Sequence, residues 1–269
     1  MNLRDELITA LINAKIPSPR LEADIIIKNV APQYPDINKQ QEEILRKYVE
    51  RRINHEPLDK IIGKREFYKS TFLVDNNVLS PRADTEILVE NALDFIPKDT
   101  DFSILDLGTG SGCIILSLLQ ERDKSRAIAV DISSDALNIA QKNAINLGLD
   151  KRVEFINRSW SDKNFIDEKF DMIVSNPPYI PSAEIPDLDV EVKRYDPLTA
   201  LDGGEDGLDC YRQIAIITPL LLKDNGYILL EVGYNQAEDV ANIFIKQGLT
   251  LVKIVPDLSG INRCVILKK

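Results

Sequence analysis

The 269-residue chain contains a single histidine, His55, and three cysteines, Cys113, Cys210 and Cys264, none in a C-x-x-C spacing. One imidazole removes most histidine-based catalysis and most nitrogen-ligated metal sites from consideration. Three scattered thiols exclude a zinc knuckle and a disulfide frame, and point to a reducing compartment, the cytoplasm. No apolar run reaches the roughly 18 residues of a membrane span. The first residues, with Asp5 and Glu6, have no apolar signal core, so neither membrane insertion nor secretion is expected. Positive charge is also scarce, at a net −10. A duplex binder takes most of its affinity from phosphate contacts and shows a basic footprint. No direct nucleic-acid substrate is therefore expected. One stretch departs from this balance. Residues 46–69 hold eight basic and four acidic residues, a net +4, which leaves −14 on the rest. This stretch reads either as a solvated helix face and hairpin or as a docking surface for an anionic partner.

What is present is ordinary for a globular protein, with 44% hydrophobic and 28% charged residues. Apolar positions at helical spacing, Leu3, Leu7, Ile8, Leu11 and Ile12, then Leu21, Ile25 and Ile26, predict two helices. A third pattern runs over 37–53. Residues 1–64 read as a small helical domain suited to substrate recognition, and 65–80 as a hairpin or linker, because "REFYKSTFLVD" is aromatic and β-branched. Residues 81–269 form the main domain. There a helix starts after "SPRADTE", with Asp84 or Thr85 as its cap. From about residue 101 strand-like runs ("SILDL", "RAIAVD", "RVEFIN", "FDMIVSN", "GYILLEVG", "LTLVKIV", "RCVILK") alternate with helical patterns near 112–120, 134–147, 208–222 and 235–247. Such alternation implies crossover units and an α/β, Rossmann-like fold with a mainly parallel twisted sheet. Ligands of such sheets bind at the carboxyl ends of the strands, near the topological switch point. Residues 180–207, with three prolines, many acids and no clear period, read either as a mobile flap or as an ordered surface loop.

Two strand ends carry chemistry. "ILDLGTGSGCIILSLL" sets a strand, a glycine turn and a helix in order. Gly108, Gly110 and Gly112 permit positive φ and close backbone approach, and the helix start offers N–H groups to an anionic group. A dinucleotide loop needs G-x-G-x-x-G, and the sixth position here is Cys113. Asp106, two residues before the turn, is awkward beside a pyrophosphate and suits a ligand bearing an ammonium or sulfonium charge. S-adenosylmethionine carries a carboxylate, an ammonium and a sulfonium. Asp131 ends the next strand, where it can accept from ribose hydroxyls or cap the following helix. Trp160, the only tryptophan, suits either an adenine ring or the core.

The second is "IVSNPPY" (173–179). Two prolines remove two backbone donors and make the chain stiff and extended. Such a bracket suits a planar NH2 group. The Asn176 side-chain oxygen and the Pro177 carbonyl can each accept one N–H, and Tyr179 can stack on the amide plane. An amide nitrogen is a poor nucleophile because its lone pair is delocalised. Holding both hydrogens to one side favours pyramidalisation and turns the lone pair toward a methyl donor. No strong base is required before transfer.

"DLGTGSG" with "SNPPY" resembles the class I S-adenosylmethionine-dependent methyltransferases that act on planar nitrogen. Within them the chain is most similar to the PrmC/HemK protein-glutamine methyltransferases, which modify the glutamine of the Gly-Gly-Gln motif in peptide chain release factors. The resemblance covers nearly the whole chain and includes "EPLDKIIGKREFY" (56–68), "SPRADTE" (80–86) and "DPLTALDGGEDGLDCYRQI" (196–214). It implies S-adenosylmethionine as cofactor, held by Gly108, Thr109, Gly110, Ser111, Gly112, Asp131, Trp160 and Asn176. It implies a glutamine site at Asn176, Pro177, Pro178 and Tyr179, with Asn176, Pro177 and Tyr179 catalytic. It implies a release factor as protein partner, and a monomer with no metal is expected. Ala83 and Ser159 stand where that family usually has Pro and Asp. The ending "RADTE" favours the release-factor branch over relatives that modify a ribosomal-protein glutamine. Two other readings remain open: methylation of adenine N6 in nucleic acid, and a non-enzymatic binding module on the same fold.

Overall fold

A computed structural model of the chain describes residues 2–162 and 166–269. Four helices open it: α1 (Leu3–Asn13), α2 (Pro19–Val30), α3 (Lys39–Ile53) and the short α4 (Leu58–Ile62). Local chemistry sets their starts. The Asn2 side chain accepts the Asp5 N–H at 2.9 Å, and Asn38 and Gln41 form a reciprocal capping box. Pro19 sits at the first position of α2, where its missing N–H costs nothing. Most of the apolar positions predicted from spacing converge on one small core, in which Leu11, Ile26 and Leu45 are fully buried, while Ile12 and Leu21 stay exposed.

A hairpin follows, β1 (Lys64–Phe67) paired antiparallel with β2 (Ser70–Leu73). Its Phe67 and Phe72 meet edge to face at 6.0 Å and join the largest apolar cluster of the molecule, with Leu88, Ile104 and Ile115. The remaining elements are α5 (Glu86–Phe95), β3 (Phe102–Leu107), α6 (Cys113–Glu121), β4 (Ser125–Asp131), α7 (Ser134–Asn146), β5 (Val153–Asn157), β6 (Phe170–Ser175), α8 (Val190–Tyr195), α9 (Asp209–Leu221), β7 (Leu222–Glu231), α10 (Ala237–Ile245), β8 (Thr250–Pro256) and β9 (Asn262–Lys268).

Seven strands form one sheet in the order β5-β4-β3-β6-β7-β9-β8. The first five in that order are parallel, and β9 pairs antiparallel with both β7 and β8. Strands β3 and β6 are buried on both faces, which is why they read as unbroken apolar runs. The chain runs outward from β3 to β4 and β5, then returns to lay β6 against the other side of β3. The switch point therefore lies between the carboxyl ends of β3 and β6. Those ends carry the glycine turn and the Asn-Pro-Pro-Tyr bracket.

Three details go beyond the sequence expectation. Strand β7 begins at Leu222, directly after α9, because the chain pairs with Phe170 before its glycine. The last strand inserts between β7 and β8, a choice that strand periodicity does not encode. Residues 180–207 are folded, with α8 and two single helical turns at Ile185–Asp187 and Leu198–Ala200.

Candidate active site

One pocket spans the switch point. Its wall includes Gly108, Thr109, Gly110, Ser111, Asp131, Trp160, Asn176 and Pro178. The glycine turn is held from below. Gly108 and Thr109 donate to the Val130 carbonyl at 2.9 and 3.0 Å, and Gly110 donates to Asp131 Oδ2 at 2.8 Å. Gly108, Gly110 and Gly112 have φ of 76°, 55° and 80°, a region that side chains with a Cβ avoid. The Trp160 ring lies over Gly108, so close that a Cβ there would touch its Cζ3 at 3.4 Å, and its indole N–H donates to Gln213 Oε1 at 2.9 Å.

The charged residues on the pocket wall are Asp131 and Arg82, and a further carboxyl, Asp106, lies behind it. Asp106 is fully buried beneath the turn; Oδ2 accepts the Thr109 hydroxyl at 2.7 Å, while Oδ1 has no donor among the described residues. Desolvation pushes this carboxyl up to about 7, with Asp131 adding to the rise and the Thr109 hydroxyl opposing it. Asp131 is also raised by burial, against the N–H groups of Ser133 and Gly110 that favour its charged form. The Cys113 thiol on the same wall is pushed up to about 12 by burial, so it stays protonated and is no nucleophile.

The bracket contributes Asn176 and Pro178 to the same pocket. Asn176 Nδ2 donates to the Thr85 hydroxyl at 3.4 Å. Pro177 is buried, and neither it nor Tyr179 lies on the pocket wall. Tyr179 turns its hydroxyl inward to Glu231 Oε1, 3.4 Å away, and its carbonyl accepts from Gln236 Nε2 at 2.9 Å. Burial and the Glu231 charge raise the phenol far above its ordinary value, so it remains neutral.

A methyltransferase-domain family model matches residues 98–248. The chain is 38% identical to a release factor glutamine methyltransferase of Caulobacter vibrioides, covering 95% of this chain and 91% of that one. It is 39% identical to the protein of the same name from Agrobacterium fabrum, covering 98% and 96%. The chain belongs to the release factor glutamine methyltransferase family. Among solved structures, ribosomal protein L11 methylase from Lactobacillus delbrueckii subsp. bulgaricus superposes with a TM-score of 0.53 at 16% identity, over 72% of this chain and 82% of that one, a likeness of fold.

Set against that family's expected site, the structure brings most of the named residues together and reassigns a few. Gly112 faces away from the pocket, since a Cβ there would press on Leu116 Cδ1 at 3.0 Å and Ala140 Cβ at 3.3 Å; it caps α6 and packs. Asp106 lies behind Thr109 rather than on the wall. The N–H groups of Gly108, Thr109, Gly110 and Gly112 are taken up within the protein, so the turn offers fewer anion donors than its motif suggests. Asp131 does both jobs foreseen for it: it lines the pocket and accepts the Ser133 N–H at 2.9 Å before α7. The +4 stretch is largely consumed internally. Arg46, Arg51, Arg52, Lys60 and Lys69 all pair with carboxylates of this chain. Sequence reasoning missed Glu231 and Asn143. The first had a signal, an acid at the end of the apolar run "GYILLE". The second, buried in α7, accepts the Leu73 N–H at 2.7 Å and donates to the Ser111 carbonyl at 2.9 Å, and so ties the hairpin to the glycine turn.

Proposed function

We propose that this chain is an S-adenosylmethionine-dependent protein-(glutamine-N5) methyltransferase whose substrate is the Gly-Gly-Gln glutamine of a peptide chain release factor. One observation carries the reading: residues of the glycine turn and Asn176 with Pro178 of the bracket line a single pocket at the switch point. The residues present fit the methyl donor. The Asp106 oxygen without a donor and the Asp131 carboxylate place negative potential under a ligand with cationic groups, and the Trp160 ring offers a flat apolar face. S-adenosylmethionine supplies, when bound, an electrophilic methyl group on a sulfonium. The chain's own residues do the rest. Asn176 Oδ1 and the Pro177 carbonyl accept the two N–H groups of the substrate amide. Pro177 and Pro178 keep those acceptors rigid, and the neutral Tyr179 ring sets the tilt of the amide plane. Positioning of this kind can lower a barrier by up to roughly 7–11 kcal/mol. It needs no histidine and no thiolate.

A protein substrate is favoured by a second cavity. It lies between the helical domain, residues 1–64, and the segment around α8, and it shares Ser80, Pro81 and Arg82 with the first pocket. A loop of a folded protein can enter there while its glutamine reaches Asn176. Nucleic acid is disfavoured because the basic stretch is neutralised by internal carboxylates. The test is mass spectrometry of a purified release factor after incubation with enzyme and cofactor. A mass gain of one CH2 on the Gly-Gly-Gln peptide is expected; labelling of RNA or DNA with an unmodified release factor would overturn the proposal.

A further inference from the structure

Trp160 lines two hollows. One is the pocket at the switch point, and the other is a neighbouring cavity whose wall includes Ile166, Gln213, Ile217 and Leu220. A ring that borders open space on two sides is not locked by packing alone, because a void supplies no contacts. Its polar atom must do part of the holding. An indole has one N–H donor and no acceptor. Gln213 Oε1 accepts that N–H at 2.9 Å, and the same oxygen accepts the Ser161 hydroxyl at 2.9 Å. A carboxamide oxygen has two lone pairs, so it can serve both donors at once. The NH2 end could not take the indole N–H, which fixes which way round Gln213 lies.

Both ends of this tie are anchored. Gln213 stands on α9, whose Tyr211, Ile214 and Ala215 are fully buried, and the Tyr211 hydroxyl donates to the Glu231 carbonyl at the end of β7 at 2.8 Å. The helix is therefore a fixed post. At the other end the ring rests on the glycine turn, where a Cβ on Gly108 would stand 3.4 Å from Cζ3 and 3.7 Å from Cη2. Gln213 itself is not on the wall of the switch-point pocket, so it reaches that pocket only through the ring. We propose that Gln213 is a positioning residue for cofactor binding: its side-chain oxygen, shared with Ser161, holds the Trp160 ring over the glycine turn as a preset wall. A wall already in place spares the cofactor the cost of ordering it. This gives the end of the segment "DPLTALDGGEDGLDCYRQI" a task on the cofactor side, while its glycines clasp the bracket.

The inference rests on the methyl-donor reading of the pocket, and the experiment separates the two. Wild-type protein that takes up no S-adenosylhomocysteine, the demethylated donor, in calorimetry overturns that reading and this one with it. Given binding by wild type, the variant to compare is Gln213→Leu. It removes the acceptor at an exposed position of α9 with a residue that helices accept, so the fold should persist. Trp160 is the only tryptophan of the chain, so fluorescence reports the ring directly. Without ligand, Gln213→Leu is expected to lower its anisotropy and to raise its quenching by acrylamide, as a freed side chain moves within nanoseconds. The dissociation constant for S-adenosylhomocysteine should rise about fivefold, the loss of roughly one hydrogen bond. The KM for the methyl donor should rise with it, while kcat at saturating donor stays within about twofold of wild type. Gln213→Glu keeps an acceptor and should restore the anisotropy, with affinity within about twofold of wild type. Trp160→Phe has no N–H to hold, so Gln213→Leu placed in that background should change affinity less than about twofold. Four outcomes overturn the proposal: unchanged ligand-free fluorescence in Gln213→Leu, unchanged affinity in the same variant, no rescue by glutamate, or full additivity with Trp160→Phe.

Discussion

Asn176 is the residue on which turnover depends. Its amide faces the pocket, while the cofactor side is built mainly from the glycine turn, Asp131 and Trp160. Asn176→Ala should therefore lower kcat at least a hundredfold, the loss typical of one removed transition-state contact, and weaken cofactor affinity far less. Single-turnover rates and calorimetry measure the two separately. Buried acids make a second residue-scale prediction. Asp106 and Glu231 are both pushed up to about 7 by desolvation. Between the ordinary carboxylate range and pH 7 the folded protein keeps protons that the unfolded chain has released. The unfolded state binds fewer protons there, so stability falls as pH rises toward 7 and levels off above it. Denaturation of the ligand-free protein should show a loss on the order of a few kcal/mol between pH 5 and pH 8, and Asp106→Asn should flatten part of that slope.

At the scale of elements, the segment after the bracket is a splint for it. Ile180 and Gly203 exchange backbone hydrogen bonds with the facing strand of the loop, Ile180 N–H to Leu201 at 3.0 Å and Gly203 N–H to Ile180 at 2.9 Å. Gly203 lies so close to the bracket that a Cβ would stand 2.8 Å from Tyr179 Cα, and a Cβ on Gly207 would collide with the Tyr179 carbonyl. The glycines of "LDGGEDGLD" are thus steric necessities that let one loop clasp another. Gly203→Ala should cost about 1–3 kcal/mol of stability through overpacking and lower kcat by shifting Tyr179. Urea unfolding and steady-state kinetics on the same variant test both. The segment carries helical turns and backbone hydrogen bonds that its sequence pattern did not show. The reason was invisible locally, because its anchors lie elsewhere in the chain.

For the whole molecule, the helical domain and the site are joined through buried charge. Lys60, from α4, meets Asp196 at 3.0 Å with both side chains almost fully buried, and it donates to the carbonyls of Asp75 and Val78. Arg52, from α3, links Glu22 of α2 to Glu191 of α8, 2.8 Å away, and Tyr195 reaches the Asn54 carbonyl at 3.1 Å. Removing one partner of such a pair strands the other, so Lys60→Ala should destabilise the protein by about 3–5 kcal/mol in denaturant titration. Deleting residues 1–70 would strip these partners and Phe67 from the main core together. Point changes in the shared cavity are the cleaner probe of substrate docking. Leu21, 61% exposed on that wall, is suited to this. Leu21→Glu is expected to raise the release-factor KM severalfold, the loss of about one apolar contact, with cofactor affinity unchanged.

The sequence by itself determined what lies within a few residues along the chain. Helix starts at Asn2 and Asn38, the glycine turn after β3, the stiff bracket at 176–179 and the apolar runs of β3 and β6 all follow from local rules of backbone sterics, capping and periodicity. It also specified the chemistry, since a planar-amide bracket beside a sulfonium-compatible turn admits few reactions. Only the tertiary structure decided which strands are neighbours, that β9 enters between β7 and β8, and that Thr85 comes within 3.4 Å of the Asn176 amide. Sheet order, and the burial that keeps Asp106 and Glu231 partly protonated, arise from packing between distant segments. Local pattern carries no record of that packing, because the same alternation of apolar residues serves a strand at any place in the sheet.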